Sequence, residues 1–392
     1  MRHASFFPFY VSRFTNTLAN AVLFQGKPTV SAKKPKGLTY KDAGVDIRAG
    51  DAVADRIGQL AKSTYGPEVM GGVGGFAGLF SMGGEVKLFR GLYKDPVLVA
   101  CTDGVGTKLK VAFALNKHDT VGIDLVAMSV NDLVVQGAQP LFFLDYIGMG
   151  KKDPAVCEAL VKGIVEGCHQ SRCSLLGGET ASLPDMYPPG EYDLAGFCVG
   201  VAERDKVIDG SKVCAGDVII GIRSSGLHSN GYSLARKALL ERAGYKLDQH
   251  IPDLGRTLGE ELLEPTKIYA EAVRNVLEHY KVKEIVKALA NITGSGLPGN
   301  IPRTIPNGFV VRLKKGSWPI PPIFHLIQKA GEVDEAEMYD TFNMGVGMTL
   351  VCPEFNANAI RDTLSKVGCE SDVIGVIEAA QNQNAEAEVK ME

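Results

Sequence analysis

Residues 97–132 read VLVACTDGVGTKLKVAFALNKHDTVGIDLVAMSVND, and this stretch decides how the chain is organised. The apolar, β-branched run at 97–101 predicts a buried strand. A glycine turn follows, and then an apolar period that predicts a helix. Such a turn presents free N–H groups and a positive dipole end, which favour phosphate. Four groups are therefore candidates for phosphate and Mg²⁺: the Asp103 carboxylate, the Gly104–Gly106 turn, Thr107 and Lys108.

A second helix is predicted over residues 120–136. Its apolar residues at 123, 127, 130 and 134 form one buried stripe. Asp124 and Asn131 nearly superimpose on a second stripe, and Asp132 lies about 80° away. A carboxylate beside a buried stripe needs a partner. With Asp103 upstream, the pattern favours a shared Mg²⁺–phosphate site over ordinary capping and solvation.

The composition describes an ordinary globular protein of 392 residues, with 45% hydrophobic residues, 22% charged residues and a net charge of −3. This length allows two domains. Without a basic excess we expect no nucleic-acid partner, and without a long apolar run no membrane span. Eight scattered cysteines without metal spacing favour reduced thiols.

Residues 1–37 contain several Lys and Arg but no carboxylate. This composition is typical of an organellar transit peptide, which would place the protein in a plastid or mitochondrion. A disordered leader, or an upstream start codon in a bacterial gene, is slightly favoured, because the segment is short and serine is not abundant. On this interpretation we expect a cytoplasmic protein, with a plastid or mitochondrion as the alternative. The apolar run at 6–11 is too short for a secretory signal.

Further along, strands are predicted at 141–147, 196–204 and 218–222, and a helix is predicted after the Asp153-Pro154 pair. The segment GGET ends another predicted strand and carries Glu179, which can approach a ligand or form a simple turn. The polar stretch 203–209 is the candidate domain boundary. In the loop SSGLHSNG, small polar residues suit a phosphate or ribose, and His228 is read as functional rather than structural. No GxSxG elbow supports a nucleophilic serine.

Nine ordered motifs together resemble the aminoimidazole ribonucleotide synthetase (phosphoribosylformylglycinamidine cyclo-ligase) family. The motifs are YKDAGVDI, PEVMGG-GGF, TDGVGTK, GIDLVAM-VNDLVVQGA-PLFFLDY, GGETA, YDLAGFCVGV, SSGLHSNGYSL, NIPR and EMY-TFN-GVGM. The resemblance covers residues 38–380. It implies an α/β fold of two domains, an N-terminal ferredoxin-like sheet domain that forms a homodimer (38–208) and a C-terminal α/β domain (209–380), followed by a flexible tail (381–392).

The resemblance also implies an ATP-dependent ring closure of formylglycinamidine ribonucleotide in purine synthesis, with Mg²⁺ and possibly K⁺. No Walker motif is present, as the family fold implies. On this basis we expect ATP contacts from the glycine turn and from Asn131. We also expect a glycine lid to close over the nucleotide, formed by Gly71, Gly72, Gly74 and Gly75. The alternative is that these glycines form a plain flexible loop. Metal contacts are expected from Asp46, Asp103, Asp124 and Asp132. The expected substrate contacts are Glu179, Thr180, Ser229 and Asn230. The expected catalytic residues are His228, Asp103 and Lys108.

One loop departs from the family pattern His-Ile/Leu-Thr-Gly-Gly-Gly. It has Asn291 for the histidine and Ser295 for a glycine. Asn cannot exchange a proton near neutral pH, and a Cβ at a positive φ costs roughly 1 kcal/mol. This departure leaves a catalytically silent ATP-binding paralogue as one alternative. A second alternative is another ATP enzyme of the same superfamily, such as a thiamine-monophosphate kinase, which would share the aspartates.

Overall fold

The structure is a computed structural model, and it describes residues 56–70, 77–82, 93–280 and 282–392. The predicted leader, Asp46 and the four lid glycines lie outside the described residues. Residues 56–62 are helical, as the apolar spacing there predicts. A short hairpin follows, in which β1 (Val69–Met70) pairs with β2 (Leu79–Phe80).

The first large sheet has the strand order β3-β6-β4-β5. Its strands are β3 (Pro96–Gly104), β4 (Gln139–Met149), β5 (Ser174–Ser182) and β6 (Tyr192–Glu203). Strand β6 runs antiparallel to β3 and β4, whereas β4 and β5 are parallel. Helices α1 (Leu109–Leu115), α2 (Val121–Val134) and α3 (Pro154–Ser171) follow β3 and β4, and α2 packs on β3 and β6.

The predicted helix and strand positions in this half are confirmed. Thr120 lies at the N-cap of α2, and Ala127 and Val130 are fully buried. Asp153 caps α3 by accepting hydrogen bonds from two backbone N–H groups, with Pro154 next to it. The two helices touch at glycines: a Cβ on Gly122 would lie 2.3 Å from the Leu160 carbonyl oxygen. Only glycine permits this close crossing.

Within the single chain, the prediction that β3 is a buried strand is wrong. It lies at the edge of the sheet, and its side chains alternate between exposed and half-buried. Leu98 is 56% exposed. An edge strand with one uncovered face keeps half its side chains in solvent, whatever their hydrophobicity. Glu179 was expected beyond a strand end, but β5 continues through it.

The second large sheet has the order β10-β12-β7-β13-β11-β14. Its strands are β7 (Asp217–Arg223), β10 (Ala288–Asn291), β11 (Phe309–Leu313), β12 (Val346–Pro353), β13 (Ser371–Ala379) and β14 (Glu388–Met391). A small pair, β8 (His250–Ile251) and β9 (Arg256–Thr257), lies outside it. The helices of this half are α4 (Tyr232–Arg236), α5 (Leu258–Leu262), α6 (Ala270–His279), α7 (Gly296–Asn300), α8 (Pro322–Gly331), α9 (Glu335–Thr341) and α10 (Ala357–Ser365).

The α/β class with two sheets is confirmed, and the strand predicted at 218–222 is the buried β7. The flexible tail predicted for 381–392 is wrong at its end, because β14 pairs in parallel with β11, Val310 opposite Glu388. The boundary predicted at residues 208 and 209 falls between the two sheets and stays a prediction.

Candidate active site

A pair of carboxylates marks the candidate active site. Asp103 is the next-to-last residue of β3, and Asp132 lies on the exposed side of α2. Burial raises the pKa of Asp103, a hydrogen bond from the Gly104 N–H opposes this, and the charge of Asp132 raises it further. The two groups are therefore close enough to interact electrostatically. Asn291, from the second sheet, donates a hydrogen bond of 2.8 Å to Asp132 Oδ1.

The predicted glycine turn lies beside this pair. Residues Gly106–Lys108 form a 3₁₀ turn that leads into α1. Gly106 has φ +73°, and apart from its two chain neighbours no atom of the described residues lies within 4 Å of where its Cβ would be. Thr107 Oγ1 lies 3.1 Å from Ser233 Oγ of α4. The open space at Gly106 leaves room for a ligand to approach the backbone.

Lys108 does not lie in this open space. Its side chain is fully buried, and Nζ donates to Asp124 Oδ1 at 2.9 Å. Nζ also donates to the carbonyl oxygens of His228 at 3.0 Å and Glu264 at 2.6 Å. An ammonium group has three protons, so these bonds use all of them. Burial lowers the pKa of Lys108, and the charge of Asp124 opposes that effect.

Asp124 is the acceptor at the centre of the same network. Its Oδ1 also accepts from the Thr266 N–H at 2.7 Å, from Thr266 Oγ1 at 2.6 Å and from Ser229 Oγ at 3.1 Å. Asn131, seven residues along α2, donates to the Lys267 carbonyl oxygen and accepts from the Tyr269 N–H, both at 2.9 Å. The second polar stripe of α2 therefore binds the second half of the chain rather than a phosphate.

This arrangement places four of the expected site residues inside the protein, hydrogen-bonded to other parts of the same chain. Lys108 and Asp124 are fully buried, Asn131 is almost so, and Ser229 is bonded to Asp124. The sequence pattern correctly shows that these groups need partners, but the partners are distant segments of the same chain. We call this set the interdomain network: Lys108, Asp124, Asn131, Ser229, Thr266 and the backbone at 228, 264, 267 and 269.

His228 is poorly suited to acid–base catalysis in this structure. It is buried, has φ +61°, and its Nε2 accepts a hydrogen bond from the Ser225 N–H. Burial lowers its pKa to about 3, and the charges of Lys108 and Lys267 add to that effect. The ring is therefore neutral near pH 7. Its backbone carbonyl, rather than its imidazole, makes the contact with Lys108.

Of the expected substrate contacts, Glu179 is exposed on β5, and Thr180 and Asn230 are half-buried. Asn230 lies next to the glycine loop, where a Cβ on Gly294 would be 3.5 Å from its Oδ1. A cavity of about 510 Å³ opens beside this loop. It is lined by Gly231, Gly294, Ser295, Pro298, Gly299, Asp340 and Thr341.

Ser295 has φ +80°, so the expected strain at this position is present. The following residue, Gly296, also has a positive φ, and a Cβ there would lie 1.8 Å from the Tyr339 carbonyl oxygen. Asn300 braces the loop by donating to the carbonyl oxygens of Gly294 and Gly296, at 3.1 and 2.7 Å. These hydrogen bonds from Asn300 therefore fix the backbone conformation of the loop.

Sequence reasoning missed Thr266 and Asp145. Thr266 sits in an ordinary polar segment, and nothing nearby in sequence signals its contact with Asp124. Asp145 lies on the buried side of β4, where burial raises its pKa to about 7, its own backbone opposes this, and Glu179 raises it further. A Cβ on Gly178 would lie 2.2 Å from Asp145 Oδ1. A carboxyl group within an apolar strand was the feature of the sequence that could have indicated a buried Asp145.

The residues present fit Mg²⁺ bound together with a nucleotide, but not a closed metal cage. Among the described residues, no group of three or more His, Cys, Asp or Glu side chains is arranged to hold a metal. Mg²⁺ typically uses one or two carboxylates together with phosphate oxygens and water. Asp103 and Asp132 supply such a pair.

Comparison with known families assigns the two halves of the chain. Residues 89–202 match the N-terminal domain of AIR synthase related proteins, and residues 215–388 match the C-terminal domain of the same proteins. The chain therefore belongs to the AIR synthase related family.

Individual relatives in this family share one enzyme name. The chain is 54% identical over 344 residues to the phosphoribosylformylglycinamidine cyclo-ligase of Citrifermentans bemidjiense, covering 88% of this chain and 96% of that protein. It is 55% identical over 353 residues to the enzyme of the same name from Anaeromyxobacter dehalogenans, covering 90% and 99%.

Solved structures agree on the fold. Thiamine-monophosphate kinase from Stenotrophomonas maltophilia superposes with a TM-score of 0.59 at 18% identity, covering 86% of this chain and 96% of that one. Escherichia coli HypE gives 0.59 at 12% identity, covering 87% and 93%. Within the described part of the chain, no helix has the length and apolarity to cross a membrane.

Proposed function

We propose that this protein closes the imidazole ring of formylglycinamidine ribonucleotide, using ATP and releasing 5-aminoimidazole ribonucleotide, ADP and phosphate in purine biosynthesis. The observation that carries the proposal is identity above 50% over nearly the full length of relatives named as this cyclo-ligase. These relatives favour the enzyme over the catalytically silent paralogue.

The chemistry has two steps. The formyl amide oxygen attacks the γ-phosphorus of ATP, so the O–P bond forms as ADP leaves. The ribose-bearing nitrogen then attacks the activated formyl carbon and loses its proton to solvent, and the C–O bond breaks to release phosphate. Phosphoryl transfer depends on positioning and on neutralising the phosphate charge. Bound Mg²⁺ would supply that neutralisation.

We assign the nucleotide end of this reaction to the carboxylate pair and the adjoining turn. Asp103 and Asp132 would hold Mg²⁺, and the backbone of Gly104 and Gly106 with the Thr107 hydroxyl would contact phosphate oxygens. Solved relatives of this fold are described in complex with ATP, in HypE, and with AMPPCP, in a thiamine-monophosphate kinase. A K⁺ requirement, the glycine lid at Gly71–Gly75 and a contribution from Asp46 remain part of the proposal.

We assign the substrate end to Glu179, Thr180 and Asn230, with the cavity beside Gly294 as the place for its phosphate. Small residues line that cavity, so the backbone is accessible to a ligand. Neither Lys108 nor the His228 ring has a role in this scheme. The interdomain network instead fixes the 228–231 loop, and with it Asn230, against Lys108 of the 3₁₀ turn and Asp124 of α2.

The direct test follows product stoichiometry with the full chain, ATP, Mg²⁺ and formylglycinamidine ribonucleotide. We expect ADP, phosphate and aminoimidazole, detected by diazo coupling, to form in equal amounts. Asp103→Asn and Asp132→Asn should each lower kcat/KM by at least about 100-fold, because each removes one of two metal-binding charges. ADP formation without aminoimidazole, or no turnover at all, would reject the proposal.

Asp362→Asn serves as the matched control, because Asp362 is an exposed aspartate on α10. It should leave kcat/KM within about twofold of the wild type, as expected for substitution of an exposed side chain that belongs to neither the carboxylate pair nor the interdomain network. A comparable loss in this variant would mean that the Asp103 and Asp132 results report general damage.

We further propose that the chain is a homodimer through the uncovered face of the first sheet. The face carries Leu98 at 56%, Phe197 at 42% and Tyr146 at 38% exposure. The strand register places Phe197 between Thr102 of β3 and Leu144 of β4, so the exposed apolar groups are contiguous. A contiguous apolar patch on a sheet face marks a protein contact.

Sedimentation velocity at micromolar concentration tests this interface. The wild type should sediment as a dimer, and Phe197→Asp as a monomer, because a charge in the middle of an apolar interface is left unpaired. Phe355→Asp is the matched control, since Phe355 is 95% exposed on a separate 3₁₀ turn. A monomeric wild type, or a Phe197→Asp variant that stays dimeric, would refute the interface.

The domain limits of 38–208 and 209–380 remain proposals, as does the cytoplasmic location. The bacterial relatives favour the cytoplasm over a plastid or mitochondrion.

A further inference from the structure

Asn291 is the residue by which the second sheet reaches the carboxylate pair of the first. It is the last residue of β10, it is 8% exposed, and all four residues of that strand are buried. Its side chain crosses to α2 and bonds Asp132. Among the described residues, this is the one side-chain hydrogen bond recorded for Asp132.

The polarity of this bond is fixed by chemistry. An ionised carboxylate can only accept, so the amide nitrogen of Asn291 must face Asp132 and donate. A neutral amide holds Asp132 Oδ1 in place without adding a charge. Within the described part of the chain, the other carboxylate oxygen has no hydrogen-bond partner, and the amide does not neutralise the charge, so both are available to a cation.

The Asn291 amide is mounted on rigid backbone. Asn291 pairs with Met348 of β12, and the Ile292 N–H donates to the Gly347 carbonyl oxygen at 3.0 Å. Beyond it, Asn300 braces the loop as described above. Asp132 itself lies on an exposed helix surface, where its carboxyl could otherwise rotate.

We propose that Asn291 is a positioning residue: its amide fixes the orientation of the Asp132 carboxylate for Mg²⁺–nucleotide binding, and it takes no part in proton transfer. This inference rests on the proposed function, because it requires Asp132 to contact the metal. It also resolves the departure from the family loop, since the Nδ1–H of a histidine at 291 would donate from nearly the same position as the asparagine amide.

Three substitutions distinguish the hydrogen-bonding role of the Asn291 side chain from its role in filling space. Asn291→Ala removes the donor, Asn291→His replaces it with another donor, and Asn291→Asp keeps the shape but puts a second carboxylate against Asp132. The matched control is Asn275→Ala, which removes another asparagine amide bonded to a carboxylate, Glu271 Oε1 at 3.0 Å, on α6.

The first readout is calorimetric titration of the full chain with Mn²⁺ in the presence of AMPPCP, which requires no turnover. Removing a partner that orients a metal ligand typically weakens metal binding by about 10- to 100-fold, so Asn291→Ala should bind Mn²⁺ at least about tenfold more weakly. Asn291→Asp should bind no more tightly than Asn291→Ala, because an aspartate at 291 cannot donate. Asn291→His and Asn275→Ala should stay within about threefold of the wild type.

The second readout is the kinetic split. In Asn291→Ala the Mg²⁺ concentration giving half-maximal rate should rise by about tenfold, while the KM for formylglycinamidine ribonucleotide stays within about twofold. A residue with a purely structural role would instead change both together or lower the melting temperature alone. Should Asn291→Ala fail to fold, the comparison of Asn291→His with Asn291→Asp decides by itself.

The outcomes distinguish this inference from the function on which it rests. Normal Mn²⁺ binding by both wild type and Asn291→Ala would overturn the positioning role and leave the proposed function standing. Failure of the wild type to bind Mn²⁺ with the nucleotide analogue would overturn the metal assignment and this inference together. Loss in Asn291→Ala with recovery in Asn291→His supports the inference.

Discussion

The buried Lys108–Asp124 pair makes the strongest stability prediction. Lys108→Met removes the donor to Asp124 and to two backbone carbonyl oxygens, and leaves a charged Asp124 in a fully buried position. Removing one partner of a buried ion pair typically costs about 3–5 kcal/mol. We expect a loss of that size, because three hydrogen bonds from other groups remain on Asp124 but its counter-charge is gone.

Lys110→Met provides a control two residues away. Lys110 also pairs with a carboxylate, Glu191 at 2.6 Å, but its side chain is 45% exposed. Exposed pairs contribute about 0–1 kcal/mol, so this variant should stay within that range. The measurement is equilibrium urea unfolding of the full chain, followed by tryptophan fluorescence and by circular dichroism.

The same variants test the role first expected for Lys108. A lysine that contacts phosphate would lose ATP affinity on substitution but leave unfolding little changed. The structure predicts instead that Lys108→Met lowers the free energy of unfolding strongly. If the two halves of the chain uncouple, the fluorescence and dichroism transitions should also separate. A Lys108→Met variant as stable as Lys110→Met, with weakened ATP binding, would refute the interdomain network.

Three further predictions concern single side chains. The folded-state pKa of His228 is about 3, below about 6.5 in the unfolded chain, so its contribution to stability is lost as pH falls below 6.5. Between pH 7.5 and 5 the free energy of unfolding of the wild type should therefore fall by about 2 kcal/mol more than that of His228→Asn. Asparagine is chosen because it tolerates the positive φ. Equal pH profiles for the two proteins would contradict a buried, neutral His228 ring. For Asp145 the pH dependence of stability is reversed: its pKa of about 7 in the folded protein means that stability falls as pH rises through 4–7. Asp145→Asn should therefore be more stable than the wild type at pH 8, by at most about 4 kcal/mol. Urea titrations should show this gain vanishing near pH 4. Ser295→Gly should raise stability by up to about 1 kcal/mol in the same assay, because glycine adopts φ +80° freely, and a loss would mean that the serine makes a compensating contact.

Local signals in the sequence were sufficient for helices and most strands. The 3.6-residue period placed α2, and the Asp153-Pro154 pair placed the start of α3, because capping and amphipathicity depend on neighbouring residues. The turn at Gly106 was predictable for the same reason. These features need no knowledge of the rest of the chain.

The errors arise where distant segments decide the outcome. The pattern at Asp124 and Asn131 correctly required polar partners, but these include Thr266, Lys267 and Tyr269, which lie more than 130 residues away. No local signal distinguishes such a contact from a metal site. The burial of His228 was not predictable for the same reason, since it depends on packing beside Tyr269 and Gly347.

The carboxylate pair was predictable in part. Asp103 at a strand end beside a glycine turn follows from local chemistry, and Asp132 was included with it. That Asn291 completes the group follows only from the position of β10 against α2, which joins the two halves of the chain.

The central claim is that the formyl oxygen of the substrate accepts the γ-phosphoryl group of ATP. The most direct measurement uses formylglycinamidine ribonucleotide labelled with ¹⁸O in the formyl group, and mass spectrometry of the released phosphate. The proposed chemistry predicts that each inorganic phosphate carries the label, because the substrate C–O bond breaks when phosphate leaves. Unlabelled phosphate, formed alongside aminoimidazole, would show that ATP is hydrolysed without activating the formyl group and would contradict the mechanism.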